Sequence, residues 1–365
     1  MTRINTNRYS SIIRVHSMTA FYLLVVLFLF GCARGKAEQA AMEEPAAAEA
    51  AVEFVLAALS DDTVPAPQIT GPRFALIPEY AKPGDTVTIG YSDNFGSLNT
   101  GNIQAVLLDA RGRRLVKAAF FSLPREEGEE ELKAAILAIP STALIGDAAI
   151  RIESAGSIIQ DLPFTIDSRE FDSETIHLNQ ENTDLRTVPD PQKTAESEQL
   201  WAILNRTGTE LISGAQFITP VTTIRITSSY GGRRVYRYVD GTSDTTIHAG
   251  VDYGVPTGTE VMACAAGRVV LAKYRIVTGN TVILEHLPGV YSLYYHMDRI
   301  LTGEGASCES GTLLGESGST GLATGPHLHW EIRVFTENTD PDTFLSRPVL
   351  DKNDITTKLG FGNME

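Results

Sequence analysis

Apolar and polar positions alternate in short runs along this chain, with turn-forming residues between them. Between residues 73 and 167, runs at 74–80, 86–92, 103–109, 113–122, 131–139, 147–153 and 158–166 read as strands. They are separated by Pro83-Gly84-Asp85, Asn99 to Gly101, Arg111-Gly112 and Gly146-Asp147. About seven short strands at this spacing predict an immunoglobulin-like β-sandwich over residues 72–167. A polar connector follows at 168–215. A second β pattern, dense in glycine, then occupies residues 216–346, with strands at 222–227, 259–263, 268–274, 281–286, 290–296 and 328–334, and a tail closes the chain at 347–365. The expected fold class is all-β. Within the connector, residues 195–205 read as a short helix, with Thr194 as its cap, Glu196 and Glu198 at its positive end and Gly208 at its stop. Leu200, Trp201 and Leu204 give it an apolar stripe suited to docking on a neighbouring domain.

The first residues follow a different pattern. Arg3, Arg8 and Arg14 precede an apolar run at 20–30, too short to span a bilayer, which takes about 20 residues. The run ends in Leu29-Phe30-Gly31-Cys32. A small residue followed by Cys resembles the lipobox of bacterial lipoproteins, although Phe30 is bulkier than the usual residue there. This predicts a signal peptide over 1–31, lipidation at Cys32, and attachment to the inner or outer membrane of the cell envelope, facing the periplasm. Residues 32–71, rich in Ala, Glu and Pro, read as a tether.

Charge narrows the partners. The formal net charge is −15, which argues against nucleic acid, since phosphate-backbone binding needs clustered Lys and Arg. Removing residues 1–31 leaves Cys264 and Cys308 as the thiols of the folded domains. In an oxidising compartment two such cysteines can pair, so a Cys264–Cys308 disulfide stands as an expectation beside two free thiols. No cluster in the sandwich suggests chemistry; it reads as a spacer or as a module binding an envelope partner.

The chemistry concentrates in the second β domain. Of seven histidines, five lie between His248 and His329. In a strand, residues i and i+2 share a face, so His327 and His329 present two imidazoles side by side. His248 and Asp252 would stand about 13 Å apart if fully extended, but Gly250 permits a bend that brings them to one ion. Two imidazoles and a carboxylate suit Zn²⁺ and leave its fourth position open, the layout of a catalytic site. Glu331 shares a strand face with His329 and reads as supporting it. His286, before Pro288-Gly289, reads as structural or solvent-facing, as does His177. Tyr295 and Trp330 fit either the core or a substrate groove. Gly318, Gly321 and Gly325 read as turn residues that place His327.

The frame around these residues is specific: Tyr230-Gly231-Gly232-Arg233, then HAGVDYGVPTGTEVMA from His248, then Tyr295-His296, then GESGSTGLATGPHLHWE from Gly315. This segment resembles the lysostaphin-type zinc peptidases, the LytM-domain family, over about a third of the chain. The resemblance implies a domain with a central antiparallel sheet and one Zn²⁺ held by His248, Asp252 and His329. His296 and His327 match the two histidines that assist catalysis, with the roles of general base and partner open between them. His296-Met297-Asp298 departs from the family's usual His-Leu-Ser. The implied activity is a zinc endopeptidase acting on stem or cross-link peptides of peptidoglycan. The alternative is a lipoprotein that has lost catalysis and activates another cell-wall hydrolase.

Overall fold

A computed structural model describes residues 73–92, 103–127, 129–206, 208, 210–222 and 225–361. The expected signal peptide at 1–31, the expected lipidation at Cys32 and the expected tether at 32–71 fall outside the described residues. Among the described residues no helix is long and apolar enough to cross a membrane.

Residues 73–166 form two facing sheets. One runs β1 (Arg73–Ile77), β3 (Thr86–Ser92), β7 (Leu132–Ala138), β6 (Phe121–Ser122); the other runs β2 (Tyr80–Ala81), β9 (Ser157–Ile166), β8 (Gly146–Ser154), β4 (Ile103–Leu108), β5 (Arg114–Ala119). Val87, Ile89 and Tyr91 of β3 alternate inward and join a core with Leu107, Ile150 and Phe164, as a period of two requires. Two expected strands are each divided between the sheets. Residues 74–80 break at Pro78, whose missing N–H cannot continue a ladder, and residues 113–122 break between β5 and β6.

The outer face of the first sheet is covered as well. Ile136 and Ala138 of β7 belong to the apolar core of the C-terminal domain. Thr88 Oγ1 donates to the Val349 carbonyl at 2.9 Å, and a Cβ on Gly90 would meet Ile355 Cγ2 at 2.6 Å. Residues 347–361 are therefore more than a tail: a helix at Lys352–Lys358 buries Ile355 against this sheet. The sandwich is docked on the C-terminal domain through a strand that is apolar on both faces.

The connector holds more structure than its polarity suggests: β10 (Ser173–His177), α1 (Gln180–Thr187) and α2 (Pro191–Leu204). Helix α2 begins earlier than expected because the Asp190 carboxylate accepts from the Gln192 N–H and Pro191 fits the first helical position. Thr194 lies inside the helix, which stops at Asn205. Ile203 and Leu204 are buried, whereas Trp201 is 49% exposed and so is not part of the docked stripe.

The C-terminal domain is a ten-stranded sheet. Its path runs β11 (Ile226–Ser228), β14 (Val251–Tyr253), β21 (Leu328–Val334), β18 (Val290–Ile300), β17 (Gly279–Leu287), β16 (Gly267–Arg275), β19 (Ser307–Cys308), with β15 (Glu260–Met262), β20 (Leu313–Ser317) and β22 (Glu337–Thr339) attached. A separate small sheet pairs β10 in parallel with β12 (Arg233–Arg237), and β12 with β13 (Ser243–Ile247). Along β21, Leu328, Trp330, Ile332 and Val334 enter the main core. His329 and Glu331 point to the other face, the one on which α2 packs through Leu271, Ile283 and Tyr295.

The disulfide expectation is not met: Cys264 and Cys308 are free thiols, both buried. Cys264 Sγ lies 3.8 Å from His286 Nε2 instead of facing Cys308, and burial pushes its thiol up to about 12. His286 is structural, and it sits inside β17 with no exposure. Its Nδ1–H donates to the Ala266 carbonyl at 2.8 Å, and Nε2 lies 2.7 Å from Ser292 Oγ. Burial, only partly opposed by the Ala266 bond, lowers its pKa to about 4. An unfolded His takes up a proton near 6.5, so between pH 6.5 and 4 the unfolded chain binds a proton that the folded chain refuses. This stabilisation is complete above 6.5 and is lost as pH falls to 4, by up to about 3 kcal/mol. In urea unfolding at pH 7, 5 and 4, His286→Asn should lose stability less steeply with acid than the parent; equal slopes would refute the assignment.

Candidate metal centre

Strand register assembles the site. Asp252 of β14 stands opposite His329 of β21, and His329 stands opposite Tyr295 of β18, so the three side chains form one row across the sheet. Tyr295 stacks on the His329 ring with centroids 5.3 Å apart and planes 9° from parallel. A slip of one residue would turn the whole row to the core face.

His248 precedes β14 and is held by backbone bonds to the neighbouring sheet, its N–H to the Gly232 carbonyl and its carbonyl to the Gly231 N–H. Gly250 is what lets His248 and Asp252 converge, but for a different reason than a bend. A Cβ there would overlap the Trp330 carbonyl and stand 3.0 Å from Glu331 Cα, so glycine is needed for the close approach of β21. Neither neighbour is a flexible side-chain end that can move away. Gly250→Ala should therefore push β14 from β21, cost about 1–3 kcal/mol and weaken metal binding at least tenfold, as read by denaturation and chelator competition. Gly325, with open space around its Cα, should accept Ala with little change. A Gly250→Ala chain that binds zinc as the parent does would refute this.

Three ligand atoms converge. His248 Nε2 lies 3.1 Å from Asp252 Oδ1 and 3.0 Å from His329 Nδ1, and His329 Nδ1 lies 2.7 Å from Asp252 Oδ1. Ligands at 2.0–2.1 Å from a tetrahedral ion stand about 3.3 Å from one another, close to this triangle. All three residues are buried. Each imidazole is turned by its other nitrogen: His248 Nδ1–H donates to the Ser229 carbonyl at 2.8 Å, and His329 Nε2–H donates to Glu331 Oε1 at 3.1 Å. The ring nitrogens left over, His248 Nε2 and His329 Nδ1, therefore both face Asp252 Oδ1, placed to ligate a metal there. Burial opposes charge on Asp252 and on His329, but their mutual hydrogen bond and those to His248 and Glu331 outweigh it. The Asp252 carboxyl is held well below its usual range and His329 is raised to about 9. The donor set of two imidazoles and one carboxylate, already holding charge in a buried place, fits a zinc ion.

His296 and His327 stand beside the triangle, their ring centroids 4.8 Å apart. His296 occupies a bulge of β18, where Asn280 pairs with Met297 and Val282 with Tyr294, and its φ is +60°. That left-handed backbone aims its ring into the groove. Its Nδ1–H donates to the Thr320 carbonyl at 2.8 Å; burial and then the neighbouring His327 lower its pKa to about 3. His327 Nδ1–H donates to the Gly325 carbonyl at 2.8 Å, and its Nε2 lies 3.8 Å from Asp252 Oδ1. In both rings Nε2 is left with its lone pair. Gly321, with φ +74°, and Gly318 pack against backbone, as turn residues placing this loop should; Gly325 has neither constraint.

Two cavities meet at the triangle. One of about 240 Å³ is lined by Leu178, Tyr236, Tyr295 and His296. The other, of about 530 Å³, is lined by Arg225, Pro256, Gly325 and Pro326. Asp252 and His327 border both. Glu331 supports His329 as expected, Tyr295 lines the groove, and Trp330 is core. The sequence reading missed Arg234, whose Nη2 donates to Asp252 Oδ2 at 2.7 Å; no local spacing pointed to it.

The model of Peptidase family M23 matches residues 246–341. Over 124 residues, 34% of this chain and 28% of the relative, the chain is 36% identical to the DD-carboxypeptidase/endopeptidase Mpg of Neisseria meningitidis. Over 110 residues, 30% of this chain and 25% of the relative, it is 36% identical to the peptidoglycan DD-endopeptidase ShyA of Vibrio cholerae. The chain spans about a quarter of the length of these relatives. Among solved structures, a putative peptidase M23 from Pseudomonas aeruginosa matches over 74% of this chain and 96% of its own, with 23% identity and a TM-score of 0.49.

Proposed function

We propose, from the match of residues 246–341 to the model of peptidase family M23, that this chain is a zinc-dependent endopeptidase cutting peptide cross-links or stem peptides of peptidoglycan. The observation that carries this reading is the triangle of His248 Nε2, Asp252 Oδ1 and His329 Nδ1 with two further anchored imidazoles at its rim. His248, Asp252 and His329 would hold the zinc, which when bound supplies a Lewis acid for the scissile carbonyl and lowers the pKa of water toward about 7. His327 Nε2, next to Asp252 and on the more open side, is placed to take a proton from an attacking water. His296, held neutral by burial, offers its Nε2 lone pair as a hydrogen-bond acceptor for a water or a substrate N–H. A peptide laid across Asp252 and His327 would have cavity on either side of the bond cut, as an endopeptidase requires.

The similarity to the peptidoglycan DD-endopeptidase ShyA of Vibrio cholerae supports the substrate class. A lipid on Cys32 and the 32–71 tether would hold the enzyme at a membrane of the cell envelope, facing the periplasm. Mass spectrometry of cross-linked muropeptides incubated with the zinc-loaded chain tests the reading. Dimers should be lost, a chelator should stop the loss, and added zinc should restore it. A chain that cuts no cross-linked or stem peptide would overturn it, and absence of zinc together with stimulation of another cell-wall hydrolase would favour the regulator alternative.

A further inference from the structure

We propose that Glu174, on connector strand β10 and outside the matched stretch, is a positioning residue of the metal centre. Parallel pairing of β10 with β12 sets Glu174 directly beside Arg234. Glu174 Oε1 accepts from Arg234 Nε at 2.6 Å and from Ser228 Oγ at 2.9 Å. Each of those donors leads to a different ligand. Arg234 Nη2 donates to Asp252 Oδ2 at 2.7 Å, and Ser228 Oγ lies 3.3 Å from His248 Nδ1. Arg234 Nη2 also donates to Ser228 Oγ at 2.7 Å, which closes the ring.

The arrangement decides how the carboxylate is presented. Arg234 occupies Oδ2, so Oδ1 alone turns to His248 and His329 and the carboxylate binds through one oxygen. A guanidinium this near a dication repels it, and on a long side chain it has several rotamers. Glu174 offsets that charge and fixes the plane of the fork, so that Arg234 orients Asp252 without opposing the metal. The Arg234 side chain is 12% exposed and that of Glu174 39%, so the brace is partly screened and its effect belongs at the low end of the 10–100-fold typical of groups that orient metal ligands. The connector thereby contributes to the site a residue that the C-terminal domain lacks.

This inference rests on the metal part of the proposed function, and its test needs no substrate. In the full chain, zinc affinity is measured by competition with a chromophoric chelator for the parent, Glu174→Gln and Glu181→Gln. Glu181 is an exposed carboxylate on α1 and controls for loss of charge alone. Visible spectra of the Co²⁺-loaded proteins and thermal unfolding without metal complete the set. Glu174→Gln should raise the zinc Kd about tenfold and shift the Co²⁺ bands, while Glu181→Gln stays within about twofold of the parent and the metal-free midpoints of all three agree. Unchanged affinity and spectrum in Glu174→Gln would overturn the inference alone. So would an affinity loss matched by a lower metal-free midpoint, which marks a merely structural residue. A parent that binds no zinc would overturn the metal reading and this inference with it.

Discussion

His329→Ala should abolish stoichiometric zinc binding and lower cross-link cleavage by roughly a thousandfold or more, since a catalytic metal supplies several kcal/mol of transition-state stabilisation. The substitution removes the ligand at the centre of the row. His329 Nδ1 is 2.7 Å from Asp252 Oδ1 and 3.0 Å from His248 Nε2, so its loss leaves two ligands, too few for a catalytic zinc site. The fold should survive. Glu331 loses its bond to His329 but keeps Arg333 Nε at 2.8 Å and Asn338 Nδ2 at 3.2 Å, so its buried charge stays paired. Metal content by mass spectrometry, circular dichroism and muropeptide turnover check the three parts. Zinc retained at one per chain with parent activity would end the ligand assignment.

His327→Ala should separate binding from turnover. Its Nε2 lies 3.8 Å from Asp252 Oδ1, beside the ligand triangle and outside it, and its ring is fixed by the Gly325 carbonyl. Zinc affinity should therefore stay within a few-fold of the parent while turnover drops about 10²–10⁴-fold, the range for removing a positioned general base. The same substitution at His296 should also spare the metal. The His296 side chain pairs through Nδ1 with the Thr320 carbonyl, and alanine keeps the Cβ that the backbone at φ +60° already accommodates. If His327→Ala lost its zinc with its turnover, His327 would be a ligand and the division of roles would need redrawing.

Much of the site was legible because strand geometry is local. The alternation in His327-Leu328-His329-Trp330-Glu331 sends Leu328 and Trp330 to the core and His329 and Glu331 to the groove, as a period of two dictates. The strands of the sandwich were legible for the same reason. The misreadings share a different cause. Thr194 looked like a cap because Asp190-Pro191 lay upstream of the apolar stripe used to find the helix. Compartment alone left Cys264 and Cys308 open between a disulfide and two thiols; in the fold both are buried free thiols, with Cys264 against His286. Residues 347–361 looked like a tail because a short polar helix with one buried Ile has no pattern of its own.

What the sequence by itself determined is which side chains share a face: His327 and His329 where β21 begins, and the apolar stripe beneath them. Only the tertiary structure decided which faces meet. The register of β14, β21 and β18 turned Asp252, His329 and Tyr295 into one row, and the pairing of β10 with β12 carried Glu174 to Arg234, 60 residues away. Spacing along a strand fixes direction over a few residues, whereas contact across strands depends on register, which the packing of the whole core selects.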